Sequence, residues 1–354
     1  MPDDLELTSQ HWDEFTARYS GRNAGIFWWE VPEVMSQINR RISGDPEVDW
    51  FQYTLHKYFA GRLPIARTLS LGCGTGEGER RLAELGAFQQ CDAYDLSGSA
   101  ILEARKAAEA AGLDHIRYQV ADVNALELPK ATYDIVWAYG AMHHFANLEH
   151  VIDRARGSLK PDGLLAMNEY VGPARFQFPE RQKEIANLCL KLLPERYRVV
   201  LPEAVELEAE QARAKASREH LDPQQPGLIT RILKGSKDPA PEPEPPEAPV
   251  IRTEVGFPSA ADVVADDPSE SVRSNEILKV LEKHFEIVEK IAWGGNILQF
   301  LLSGIAGNFS DDDKDSQLLI RMLWQIEEVL LQCGELKSDF AYIVARPLHA
   351  LRRK

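Results

Sequence analysis

The chain has 354 residues, enough for one elaborated domain or two, with 44% apolar and 27% charged residues as in ordinary globular proteins. Lys and Arg number 40 against 55 Asp and Glu, a formal charge of -15, which argues against a nucleic-acid binder because neutralising phosphates requires clustered cations. No apolar run reaches the roughly 18 to 20 residues of a membrane helix, and the acidic start "MPDDLELTSQHW" has no apolar core of a signal peptide, so a cytoplasmic location is expected.

The first 64 residues are rich in aromatics at helical spacing, among them Trp12, Phe15, Tyr19, Trp28, Trp29, Trp50 and Phe51, and predict a helical cover. From residue 65 strand and helix alternate. "RTLSLG" predicts a strand, "GEGERRLAELG" a short helix, and "CDAYDLS" a second strand. The helix "SGSAILEARKAAEAAGL" follows, with Ser97 as N-cap and Gly112 as its stop. "HIRYQVAD" and "YDIVWAYG" predict two more strands, "NLEHVIDRARGSLKPDG" a helix and "GLLAMNEYVG" a fifth strand. That rhythm implies a parallel sheet covered on both faces.

After Pro173 the rhythm breaks. Residues 173–271 predict an inserted cap with two helices, "FPERQKEIANLCLKLL" and "PEAVELEAEQARAKASREHL", and a connector, 238–249, that is half proline and therefore extended. Residues 272–354 complete the sheet: an amphipathic helix "VRSNEILKVLEKHF", the strand "FEIVEKIAWGG", a buried helix within "WGGNILQFLLSGIAGNF", the long helix "DSQLLIRMLWQIEEVLLQCG" and a last strand, "DFAYIVARP". Cys73, Cys91, Cys189 and Cys333 are widely spaced, which predicts reduced and mostly buried thiols rather than a metal site; no metal is expected.

The stretch "LSLGCGTGEGER" carries four glycines in seven positions directly after the first strand. A Walker phosphate loop requires Lys followed by Ser or Thr, and Gly76 is followed instead by Glu77. A dinucleotide fingerprint requires a third glycine where Glu77 stands, which disfavours a nicotinamide dehydrogenase. The spacing present is G-x-G-x-G, at Gly72, Gly74 and Gly76, with Asp95 ending the second strand.

With "CDAYDLS", "VADVNALELP", "YDIVWAYGAMHHF" and "SLKPDGLLAMNE" following in order, the chain resembles the class I S-adenosylmethionine-dependent methyltransferases, closely over residues 65–172 and loosely over 272–347. The resemblance implies a Rossmann-like α/β fold whose seven-stranded sheet is parallel except for an antiparallel last strand. It implies S-adenosylmethionine as cofactor, S-adenosylhomocysteine as product, and cofactor contacts from Gly72, Gly74, Gly76, Asp95, Leu96, Asp122, Val123 and Tyr139. Asp95 is expected to accept from the ribose hydroxyls and Asp122 from the adenine amino group, although an acid at either place also serves as a helix cap or turn former. Three candidates for a general base stand at strand ends: His143 and His144 after the fourth strand, and Glu169 at the end of the fifth. The alternatives are that the histidines pack the next helix and that Glu169 pairs with an arginine. The expected acceptor is a small molecule, lipid or glycan oxygen. An N-methyltransferase of the same fold and a non-catalytic cofactor-binding scaffold or sensor stand beside that reading.

Overall fold

The computed structural model describes residues 2–19, 27–205 and 249–348. Seven strands, β1 Ile65–Leu71, β2 Phe88–Asp95, β3 Ile116–Val120, β4 Tyr133–Tyr139, β5 Leu159–Tyr170, β6 Phe285–Gly294 and β7 Phe340–Pro347, form one sheet. Their order is β3-β2-β1-β4-β5-β7-β6. β1 to β5 pair in parallel, and β7 runs antiparallel to both β5 and β6, so the expected single reversed strand is present.

Both faces of the central strands are buried, which is why they carry near-continuous apolar runs. Along β4, Ile135 and Trp137 enter one apolar layer while Val136 and Ala138 enter the other; Leu164 and Ala166 alternate with Leu165 and Met167 along β5 in the same way. The first layer takes helices α2 (Pro32–Ser43), α3 (Trp50–Tyr58), α4 (Glu77–Glu84) and α5 (Gly98–Ala110), through Ile38, Leu55, Leu82 and Ile101 among others. The second takes α6 (Leu148–Ser158), whose Leu148, Val151, Ile152 and Ala155 keep the helical spacing the sequence shows. Helix α1 (Pro2–Tyr19) enters neither apolar layer: its Asp13 carboxylate accepts from Ser97 Oγ at 2.6 Å and Ser99 N at 2.9 Å, at the start of α5.

Two elements are shorter than their sequence pattern suggests. α6 stops at Ser158, and β5 begins at Leu159, because Pro161 has no N–H with which to continue a helix. The stretch after Val272 is a turn at Ser274–Glu276 followed by one short helix, Ile277–Leu281, cut off because β6 starts at Phe285. Of the cap, α7 (Glu180–Leu192) is present as expected. The second cap helix is described only at 202–205, and the proline-rich stretch lies outside the described residues except for Pro249. Where the chain is described again, Val199 bridges Ile251 and Val200 N donates to Val250 O at 2.8 Å, so the two ends of the intervening segment lie side by side. Leu298, Leu301 and Leu302 are buried on a short helix, Leu298–Leu302, and Lys314–Gln332 forms the long helix expected before Gly334. Among the described residues no helix is long and apolar enough to cross a membrane, and the four cysteines are free, with Cys91 and Cys189 buried, Cys73 half-buried and Cys333 exposed.

Candidate active site

The chain moves outward from β1 to β2 and β3, then returns to place β4 on the other side of β1. In open α/β sheets this reversal separates the loops after two neighbouring strands and leaves a crevice at their carboxyl ends. A cleft of about 740 Å³ lies here, lined by the loops after β1, β2, β3 and β4, by α1, and by residues 268–272.

The loop after β1 is tied to β2 by its backbone. Gly72 N and Cys73 N donate to Tyr94 O at 2.8 and 3.0 Å, and Gly74 N donates to Asp95 Oδ2 at 2.8 Å. Gly72 has φ +71°, and a Cβ there would overlap the Ala141 side chain of the loop after β4. Gly74 also has positive φ, +52°, but a Cβ would meet nothing within 4 Å, so its bare backbone faces open cleft. Gly76 is different: it starts α4, and a Cβ would run into the Tyr118 hydroxyl at 2.5 Å. It does not line the cleft; it lets α4 pack on β3.

Asp95, Leu96, Asp122, Val123 and Tyr139 all line the cleft. Asp95 Oδ1 accepts from Ser97 N at 2.9 Å, so each of its oxygens is fixed by one backbone donor. Burial raises its pKa above the usual carboxylate value, opposed by the Ser97 and Gly74 N–H groups. Asp122 Oδ1 accepts from Asn124 N at 2.9 Å and Asn124 Nδ2 at 3.0 Å, while Oδ2 has no donor among the described residues. Each acid thus forms the local turn and also faces the cleft. Tyr139 stands half exposed against the rings of Trp50 and Phe51.

The three candidate bases separate. Glu169 is fully buried and outside the cleft. Its Oε2 accepts from Ala141 N at 2.9 Å and Met142 N at 2.7 Å, and its Oε1 accepts from Tyr170 N at 2.9 Å and meets His143 Nδ1. No arginine pairs with it among the described residues. Burial would raise the Glu169 pKa, but His143 and the Met142 and Ala141 N–H groups together hold it below the ordinary value. Burial likewise would lower the His143 pKa, and Glu169, Glu270 and Asp267 outweigh it to hold the imidazole protonated more strongly than usual. The pair pins the loop after β4 to the end of β5, and His143 too lies outside the cleft. Asn168, on the opposite side of β5, accepts from Trp293 Nε1 at 2.8 Å.

His144 alone of the three lines the cleft. Its Nδ1 lies 3.0 Å from Ser269 Oγ and 3.5 Å from Asp267 Oδ2, and Trp12 of α1 packs edge-on against its ring. Asp267 is itself held by Ser269 N and Oγ at 2.8 Å, and its pKa is driven far down despite burial by the His144 hydrogen bond. Nε2 of His144 has no hydrogen-bond partner among the described residues.

Several cleft residues have no counterpart among the sequence candidates: Thr8 and Thr16 of α1, Arg175, Pro268, Ser269 and Val272. Ser269 carries a faint signal, since "DDPSES" is turn chemistry, but nothing in the sequence ties it to His144. Trp28 packs on Trp293 and Phe340, away from the cleft.

Comparison with known proteins bears on the same region. Residues 69–167 match the methyltransferase domain family. The 27-O-demethylrifamycin SV methyltransferase of Amycolatopsis mediterranei is 33% identical over 116 residues, 32% of this chain and 42% of that protein. The malonyl-[acyl-carrier protein] O-methyltransferase of Enterobacter lignolyticus is 35% identical over 108 residues, covering 30% of this chain and 40% of that protein. The chain thus spans about two fifths of the length of these relatives. Among solved structures, a phosphoethanolamine N-methyltransferase 2 of Haemonchus contortus in complex with S-adenosyl-L-methionine aligns over 96% of this chain and 60% of that one, at 15% identity and a TM-score of 0.46. A methyltransferase-domain match that begins inside β1 and ends inside β5, laid over a seven-stranded sheet of this order, identifies residues 69–167 as a methyltransferase domain of the class I S-adenosylmethionine-dependent type.

Proposed function

We propose that the protein methylates an oxygen of a small-molecule acceptor, with S-adenosylmethionine as donor. When bound, that cofactor supplies a methyl group on a positively charged sulfonium. The residues present suit it. Gly74 offers backbone over open space, Asp95 and Asp122 stand at successive strand ends for ribose and adenine, and Glu77 adds negative charge beside a cationic ligand. Two relatives are named as a 27-O-demethylrifamycin SV methyltransferase and a malonyl-[acyl-carrier protein] O-methyltransferase, which supports oxygen as acceptor atom.

The observation that carries the reading is His144. It is the one titratable imidazole on the cleft wall among the described residues, oriented at Nδ1 by Ser269 and Asp267 and open at Nε2. In this reading Nε2 takes the proton of the acceptor hydroxyl, and Asp267 stabilises the imidazolium. Glu169 and His143 act one step back by holding the loop that carries His144. The cleft aligns the partners and α1 excludes water, the main requirements when the methyl is already activated.

Calorimetric titration with S-adenosylhomocysteine should show binding at about tens of micromolar or tighter, and D95A should weaken it by about tenfold or more. With labelled cofactor and a metabolite extract, mass spectrometry should find an O-methyl product, and H144Q should lower kcat by about 100-fold without changing S-adenosylhomocysteine affinity. Absence of binding by either sulfur ligand would overturn the proposal.

A further inference from the structure

Beyond β5 the chain turns at Ala174–Phe176, and there two successive residues with side chains, Arg175 at φ +54° and Phe176 at φ +55°, occupy the left-handed region. That conformation is disfavoured for any residue with a Cβ. A third such residue, Ser271 at φ +47°, lies directly opposite, since Arg175 N donates to Ser271 O at 2.9 Å. Three outliers thus meet at one point on the rim of the cleft, where strain of this kind is kept for what it positions.

What it positions is the Arg175 side chain. Arg175 is the only arginine or lysine among the described residues lining the cleft. One guanidinium nitrogen, Nη1, donates to the Glu270 carbonyl at 2.7 Å, and the guanidinium forms no ion pair with a carboxylate among the described residues. The two nearby acids are engaged elsewhere. Asp267 is held by Ser269 and His144, and Glu270 Oε1 accepts from Ser271 Oγ at 2.6 Å and faces His143 Nε2 at 3.6 Å. Arg175 is half-buried, and burial pushes its pKa down against the pull of Asp267 and Glu270. A desolvated planar fork with most of its donors open is suited to a ligand carboxylate or phosphate. Asp95 and Asp122 on the same cleft wall would repel such a group, whereas Trp12 and Phe15 offer aromatic surface on the α1 wall.

We propose that Arg175 selects the acceptor: it pairs with a carboxylate or phosphate on the molecule to be methylated, so that the substrate is an organic anion with an aromatic or apolar body. The proposal rests on the methyl-transfer reading above. Its test uses the full chain saturated with S-adenosylhomocysteine and titrated calorimetrically with phenylacetate, phenyl phosphate and the neutral phenylacetamide. At least one anion should bind about tenfold or more tighter than the amide, and the better of the two identifies the anionic group. R175Q and R175G should bring the three probes to within about twofold of one another while leaving S-adenosylhomocysteine affinity unchanged, and R175K should keep part of the preference as a single charge without the fork. R175G takes φ +54° without strain and should melt no lower than R175Q, which separates loss of the guanidinium from loss of the fold. Equal binding of the three probes, no binding of any, or weakened S-adenosylhomocysteine binding by R175Q would overturn the proposal, the last by assigning Arg175 to the cofactor. Failure of the wild type to bind S-adenosylhomocysteine would instead show that the methyl-transfer reading had failed first.

Discussion

The two ends of the cleft are built in different ways. At the β1–β3 end, the two carboxylates facing the cleft are fixed by backbone near them or on the neighbouring strand: Gly74 N on Asp95, Ser97 N on Asp95, Asn124 N on Asp122. At the β4–β5 end the fixing partners are distant in sequence. Glu169 holds the N–H groups of Ala141 and Met142, His144 leans on Ser269, and Arg175 reaches the Glu270 carbonyl. A parallel sheet with a switch point explains the first end, because its loops are set by strand order alone. The second end draws on residues 267–271 from far along the chain, and Arg175, Phe176 and Ser271 there have positive φ.

Substitutions can break that contrast, and the largest effect is expected in the glycine loop. Gly72→Ala adds both a left-handed penalty and an overlap with Ala141, and should cost about 2–4 kcal/mol of stability in urea unfolding. Gly74→Ala shares the positive φ but not the overlap, so it should cost only about 1 kcal/mol while its methyl, projecting into the open cleft, weakens S-adenosylhomocysteine binding about tenfold or more. Equal stability losses at the two positions would refute the division of labour between them.

Next in size is Glu169→Gln. A fully buried carboxylate that accepts three backbone N–H groups and meets an imidazole should cost about 3 kcal/mol when neutralised. The pH dependence has a definite sign. Glu169 is held down in the fold, so its contribution is present above the unfolded carboxylate value, about 4.3, and is lost as pH falls. His143 is held up, so its contribution is complete below the unfolded imidazole value, about 6.5, and is lost as pH rises through the folded value. The deficit of E169Q in melting temperature should therefore be greatest between about pH 4.5 and 6.5.

A smaller effect than that of E169Q belongs beneath the glycine loop. Glu79 of α4 is buried, its Oε2 lacks a partner, and burial pushes its pKa up to about 7. A raised carboxyl has the opposite sign: the unfolded chain loses the proton first, so stability declines between about pH 4.3 and 7 and then levels off. E79Q should match the wild type near pH 4 and gain about 1–2 kcal/mol by pH 8, measured by calorimetric melting. A constant offset across that range would mean that Glu79 ionises in the fold as it does in the unfolded chain, its charge held by a partner.

Much of this molecule was legible before any contact was known. Apolar strands alternating with helices announced the parallel sheet, and the spacing of Gly72, Gly74, Asp95 and Asp122 led to the glycine-loop end of the cleft, because each sits at a strand terminus that periodicity locates. Gly76 was legible as a glycine but not as a packing glycine, since only the approach of Tyr118 assigns that role. Glu169 stood out as an acid in an apolar strand, yet its partners are backbone groups whose nearness depends on how β4 lies beside β5.

The sequence by itself determined the sheet, the family and the half of the cleft next to the glycine loop, because those follow from local spacing and from strand order. Which histidine faces the cleft, why Arg175 accepts a left-handed backbone, and that α1 closes the site through Asp13 and Trp12 were decided by tertiary structure alone. These features join residues far apart in the chain, some more than a hundred positions, and no local pattern records a contact that exists only once the layers have packed.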